Sequence, residues 1–132
     1  MKNISSLQNS FIKELLKLQE KSRERRKQGL FIVEGIREIS LVTQGNYHIT
    51  SLLFCEDYIS ISELGNLTTE HSELISVSKD VYKKLAYRDT TEGIIAVVKT
   101  KDFSLESIEF KNNTPLILIA ESPEKPGNIG AL

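Results

Sequence analysis

Residues 21–35 read KSRERRKQGLFIVEG, and the fold turns on how this stretch is divided. Leu30 to Val33 is a short apolar run with β-branched residues, the pattern of a buried strand, and it ends at Glu34-Gly35. That ending reads as a strand-to-helix turn, with the Glu34 carboxylate at the positive end of a helix over 36–43. Upstream of Gly29, five cations fall within the seven residues Lys21 to Lys27. Basic residues in a last helical turn suit the macrodipole, but five exceed what a cap needs. The run is therefore either a nucleic-acid surface or a solvated helix end.

Working back towards the N-terminus, Leu7, Phe11, Leu15 and Leu18, with Ile12 and Leu16 beside them, recur at three- and four-residue steps. That stripe predicts an amphipathic helix from about Ser6 to Gln28, capped by Asn9 or Ser10 and stopped by Gly29 in the left-handed conformation. Working forward, IREISLVTQG predicts a helix with Ile36, Ile39 and Val42 inward and Gly45 as its stop. YHITSLLFCED predicts a second strand, residues 60–73 a helix or helical turn, and ELISVS a third strand. Ser78 opens a helix in which Val81, Tyr82 and Leu85 face the sheet. RDTTEG is a turn, and IIAVVKT a fourth strand. Strand and helix thus alternate, and the strands are continuous apolar runs. The expected fold is α/β, a mostly parallel four-stranded sheet sandwiched by helices. Residues 1–100 form this domain, 101–114 a polar linker, and Pro115 onward restarts a strand-loop-helix pattern, with Leu116 to Ala120 as its strand.

The chain has 132 residues, 39% hydrophobic and 27% charged, which excludes a disordered chain and allows one ordinary domain. Its net charge of −1 conceals a segregation: residues 1–29 hold eight Lys/Arg against three Glu, whereas residues 30–132 hold nine against fifteen Asp/Glu. An anionic partner for the basic end follows as an expectation. No apolar run reaches the roughly 20 residues that cross a bilayer, so no membrane partner is expected. The single cysteine, Cys55, excludes an internal disulfide framework and, with no secretory signal, points to a cytoplasmic protein in which Cys55 is a small buried hydrophobe. There is no P-loop lysine, GxGxxG, CxxC or HxxxH, and His48 and His71 stand alone, so no metal site is expected.

Three stretches in register carry a family resemblance. The first runs from Ile4-Ser5-Ser6 and Asn9-x-x-Ile12-Lys13 through the basic run to Gly29-Leu30-Phe31-Ile32-Val33-Glu34-Gly35. The second is Gly93-Ile94-Ile95-Ala96-Val97-Val98, and the third Pro126-Gly127-Asn128-Ile129-Gly130-Ala131-Leu132. Together they resemble the SpoU (TrmH) family of RNA ribose 2′-O-methyltransferases. The resemblance implies an N-terminal substrate-binding domain akin to ribosomal and kink-turn-binding proteins, followed by the first strand and motif of a knotted domain that uses S-adenosylmethionine. Of the catalytic motif it carries over only the asparagine, Asn128, and its neighbours Pro126, Gly127 and Gly130. The family's other cofactor motifs are absent, so the resemblance implies a truncated methyltransferase, inactive by itself and binding no S-adenosylmethionine. The enzyme activity would belong to the full-length family. The alternative is a free-standing RNA-binding module.

The partner implied is structured RNA, ribosomal or transfer. Relatives pair through the knotted domain, so a full-length protein would be a homodimer and this chain a monomer, or a pair joined through the strand at 115–121. The RNA candidates are Lys13, Arg23, Arg25, Arg26 and Lys27, with Arg37 and Arg88, acting mainly as phosphate contacts. Lys79 is a weaker one. Arg37 either meets RNA or pairs with Glu34 or Glu38, and Asn9 is a cap before it is an RNA contact. Tyr87 packs at the core edge or stacks on a base. Glu92 stands where relatives often carry glutamine; it repels phosphate there, or caps a local turn.

Overall fold

The computed structural model describes residues 1–65, 67, 72–87, 92–122, 124 and 126–130, for Pro126 and Asn128 the backbone only. The chain divides into two compact units, Met1–Lys101 and Asp102–Leu132. In the first, the order is β1 (Lys2–Ile4), α1 (Ser10–Glu20), α2 (Ser22–Gln28), β2 (Leu30–Glu34), α3 (Ile36–Gln44) and β3 (Ile49–Phe54). A 3-10 turn (Ile61–Leu64), β4 (Glu73–Val77), α4 (Lys79–Leu85) and β5 (Ile94–Lys99) complete it.

The helix expected over 6–28 is two helices. Asn9 caps α1, its side chain accepting from the Phe11 N–H at 2.9 Å, and Ile12, Leu15 and Leu18 are buried. The apolar stripe stops at Leu18, and the chain breaks at Lys21, which adopts an extended conformation (φ −119°, ψ 109°). With no apolar face left to bury, α2 has no buried residue. Gly29 ends it at φ 63°, the left-handed position expected.

The sheet has five strands in the order β1-β4-β3-β5-β2, not four. The unexpected strand is β1, three residues that pair in parallel with β4, Ile4 opposite Val77. Its brevity hid it: three residues carry no periodicity. Nor is the sheet mostly parallel in its pairings. β3 and β4 are parallel, but β5 runs antiparallel to both its neighbours, β3 and β2. The cause is the length of α4. Seven residues of helix span only about 10 Å, and Tyr87 just after it lies at the end of the sheet where α4 began. There the Tyr87 N–H donates to Glu34 at the end of β2. From that point β5 has to run back.

Both faces of the sheet are covered. On one, α1 and α4 pack Ile12, Leu15, Leu18, Val81, Tyr82 and Leu85 against Leu53, Ile75, Ile95 and Val97. On the other, α3 and the 60s segment pack Ile39, Val42, Ile59 and Leu64 against Leu52, Phe54, Ile94, Ala96 and Val98. Ile36, expected inward, is exposed at the first turn of α3.

The second unit carries a 3-10 turn (Leu105–Ser107) and α5 (Pro126–Gly130). Residues 115–121, expected as a strand, form none, and Leu116 to Ile119 are exposed. A single extended segment has no ladder to join, and without a neighbouring strand its apolar residues do not specify β structure.

Gly93 opens β5 at φ 77°, and a Cβ there would lie 2.7 Å from Tyr58 Cβ and 3.0 Å from Ile59 Cγ2. Strain and overpacking act together, so Gly93→Ala should cost about 2–4 kcal/mol in urea unfolding. Gly65→Ala, at an ordinary helical φ of −47°, should stay within about 0.5 kcal/mol of wild type. An unchanged midpoint for Gly93→Ala would show that the turn tolerates a side chain.

Candidate nucleic-acid interface

The break between α1 and α2 decides which basic residues face outward. The last carbonyls of α1 lack intrahelical partners. The half-buried Arg25 guanidinium supplies them, donating from Nη1 to the Leu18 carbonyl at 2.7 Å and to the Gln19 carbonyl at 3.0 Å. Arg25 thereby folds α2 back onto α1 and is committed to structure. Lys21, Arg23, Arg26 and Lys27 stay exposed, and so do Lys13 and Lys17, which lie four residues apart on one face of α1. The one ion pair among the described residues, Lys2 with Glu73 at 4.0 Å, is elsewhere, on the edge strand β1 and its neighbour β4. The cations of α1 and α2 therefore form an outward-facing basic strip with no ion pair among the described residues.

Arg37 is not part of it. Leu30 pairs with Lys99 and Glu34 with Ile95, so α2 enters β2 at one end and α3 leaves it at the other. The five residues between span roughly 16 Å. Arg37 is exposed at that far end, with no ion pair to Glu34 or Glu38 among the described residues. Lys79 lies over the Tyr58 ring, its Nζ 5.5 Å from the centroid. Arg88, His71 and the Asn128 side chain lie outside the described residues.

The far end of β2 holds a group of carboxylates aimed at backbone. Glu34 Oε2 accepts the Tyr87 N–H at 2.8 Å, while its Oε1 is buried without a hydrogen bond. Glu92 Oε2 accepts the Ile36 N–H at 2.5 Å and so caps α3 from across the chain. Glu92 is thus a cap, though of a distant helix and not of its own turn. Gly35, at φ 104°, leaves room for both: a Cβ there would come within 2.6 Å of Glu38 Oε2 and 3.2 Å of Glu92 Oε2. Beneath lies Tyr82, fully buried, its hydroxyl oxygen accepting the Gly93 N–H at 3.0 Å. Burial foremost, and then the Glu34 charge, pushes this phenol up to about 12. Cys55 is also fully buried, and burial pushes its thiol up, which makes it a packing residue and not a nucleophile.

No group of three or more His, Cys, Asp or Glu side chains that could hold a metal occurs among the described residues. Nor is any helix among them long and apolar enough to cross a membrane. What the surface offers is a basic strip and a second, mixed patch at the far end of β2.

Residues 9–96 match the family model of the MRM3-like substrate binding domain. The chain belongs to that family. The MRM3-like domain takes in α1 to α4 and half of β5, and with them every RNA candidate but none of the segment around Asn128. Among solved structures the chain is similar to an RNA 2′-O ribose methyltransferase, with 35% identity and a TM-score of 0.73 over 98% of this chain and 49% of that one. Two more distant likenesses show the same fold. The AdoMet-bound rRNA methyltransferase from Sinorhizobium meliloti is 18% identical over 81% of this chain and 40% of that one, with a TM-score of 0.66. The SpoU methyltransferase AviRb from Streptomyces viridochromogenes, in complex with AdoMet, is 23% identical over 79% of this chain and 40% of that one, with a TM-score of 0.67. This chain thus spans about half the length, or less, of the structures it resembles. No curated protein matches it. The SpoU (TrmH) kinship read from the three sequence stretches is the one these comparisons return.

Sequence reasoning named two members of the far patch, Tyr87 and Glu92, but left the role of each open between two readings. Tyr87 is 94% exposed, so it does not pack at the core edge. Nothing in its neighbours signalled this, because AYRD places it between a helix end and a turn. The pairing of Glu92 with Ile36, fifty-six residues away, leaves no local signature either.

The Tyr82 phenol holds its proton more tightly folded than unfolded, where its value is 10.0. Its contribution to stability is complete below pH 10 and is lost as pH rises from 10 through about 12. Denaturant midpoints measured from pH 8 to 12 should fall over that window, and Tyr82→Phe should flatten the fall. A wild-type slope in the Tyr82→Phe variant would assign it to another group.

Proposed function

We propose that the first unit recognises structured RNA, ribosomal or transfer, as the substrate-binding portion of an S-adenosylmethionine-dependent ribose 2′-O-methyltransferase. The observation that carries this reading is the match of residues 9–96 to a substrate-binding domain whose first two helices present an outward basic strip. Phosphate contacts of this kind position RNA without reading its sequence, and shape and looped-out bases supply the selectivity. Arg23, Arg26 and Lys27, with Lys13 on α1, are the phosphate contacts, and Arg25 holds α2 in place for them. The protein acts in the cytoplasm.

Residues 115–132 belong in this reading to the start of a methyltransferase domain, with 101–114 as the linker, and Asn128 is the residue of its first motif. The likeness to the RNA 2′-O ribose methyltransferase over 98% of the chain supports that assignment. The described residues of this segment do not fit S-adenosylmethionine. Leu116 to Ile119 are exposed and form no buried apolar wall against which the cofactor could pack. In this reading methyl transfer belongs to the whole enzyme and is not expected of these 132 residues by themselves.

Replacing Arg23, Arg26 and Lys27 together by alanine should weaken binding to RNA hairpins of different sequence about equally. It should also flatten the dependence of log affinity on log salt by about 0.7–0.9 for each phosphate no longer neutralised. Fluorescence anisotropy over a salt series reads both. A wild-type slope in the triple variant would remove α2 from the interface. Arg25→Ala should instead lower the melting temperature, because two α1 carbonyls lose their donor.

A further inference from the structure

We infer that Tyr87 is a stacking platform for an unpaired base of the RNA, and that Glu34 is the positioning residue that presents it. The inference rests on the RNA-recognition reading above and adds a contact of a different chemistry at a different place.

At 94% exposure Tyr87 is the most exposed large hydrophobic side chain of the first unit among the described residues. The backbone up to and at Tyr87 is held by hydrogen bonds. Upstream, α4 closes with the Ala86 N–H on the Tyr82 carbonyl at 2.8 Å. At Tyr87 itself the N–H is held by Glu34 Oε2 at 2.8 Å. Downstream, the Gly93 N–H is held by the buried Tyr82 hydroxyl at 3.0 Å. The ring therefore stands out from a fixed point at the end of the sheet. A rigid aromatic with two side-chain torsions binds with little loss of conformational freedom.

The surroundings suit a nucleotide. Lys83 and Lys84 are exposed in the last turn of α4, and Arg37 is exposed in the first turn of the helix that follows Glu34 and Gly35. An aromatic face beside cations is the arrangement that takes a base on the ring and its phosphates on the charges. Glu34 and Glu92 each direct an oxygen at a backbone N–H, and Glu38 lies beside them at Gly35; their charge acts against phosphate and not against a base stacked on the ring. Glu34 reaches Tyr87 through its backbone and leaves the ring free, so its role is to place the platform and not to touch the base.

The test uses the full chain and an RNA hairpin carrying 2-aminopurine at an unpaired position, read by anisotropy and by the fluorescence of the modified base. Tyr87→Ala should lose roughly 5- to 100-fold in affinity, the range expected for one stacked base. The salt slope should not move, because no charge is lost, and the quenching of 2-aminopurine should disappear. Tyr87→Phe should retain both affinity and quenching. Glu34→Ala should reproduce the loss of quenching, and Glu34→Gln, which keeps an oxygen for the Tyr87 N–H, should restore it. RNA binding by wild type, with Tyr87→Ala showing the same affinity and quenching, would overturn the inference alone. Absence of RNA binding by wild type would overturn the RNA-recognition reading, and the inference with it.

Discussion

The hydrogen bond from the Gly93 N–H to the buried Tyr82 hydroxyl fixes where β5 begins, and most of the first unit follows from that point. Tyr82 reaches it because α4 lays Val81, Tyr82 and Leu85 on the sheet. Gly93 can stand there because only a residue without a Cβ fits at φ 77° against Tyr58 and Ile59. Once the strand starts at this point, it runs back between β3 and β2, and its residues from Ile94 to Val98 are buried. Next to Gly93, Glu92 accepts from the first amide of α3, and Tyr87 donates to the carboxylate that ends β2. One junction thus ties together α3, α4, β2 and β5.

Elements with a repeating pattern were legible in the sequence. The stripe of Ile12, Leu15 and Leu18, the Asn9 cap and the left-handed Gly29 all stand where the residue types place them. So do the three apolar strands that became β3, β4 and β5. What could not be read is whatever depends on partners far along the chain. A continuous apolar run says that a strand is buried on both faces and nothing about its direction, so the reversed β5 was invisible. Three residues at β1 carry no period. The break at Lys21 is set by Arg25 returning to the carbonyls of α1, a contact made only once α2 has folded back. The run Leu116 to Ala120 has the composition of a strand, yet composition cannot supply the neighbour a strand requires.

The same distinction sorts the candidate site. Counting cations located the basic strip, but it could not tell that Arg25 is turned inward while Arg23, Arg26 and Lys27 face solvent. Nor could it tell that Arg37 stands a strand's length away. That separation gives the domain two unlike patches, one mainly basic and one in which an exposed aromatic ring stands with carboxylates and cations. A folded RNA offers phosphates along its helices and unstacked bases at its loops, and the two patches correspond to those two chemistries. Kinship with a substrate-binding domain and the arrangement of the surface therefore point the same way.

The central claim, that this chain selects structured RNA, is tested most directly by competition. The 132-residue chain bound to a labelled ribosomal RNA hairpin is challenged at about 150 mM salt with unlabelled hairpin and, separately, with duplex DNA of equal length. The account predicts displacement by the hairpin at much lower concentration than by the DNA, because the duplex offers phosphates but no looped-out base. Equal displacement by the two, or no complex to displace, would contradict it.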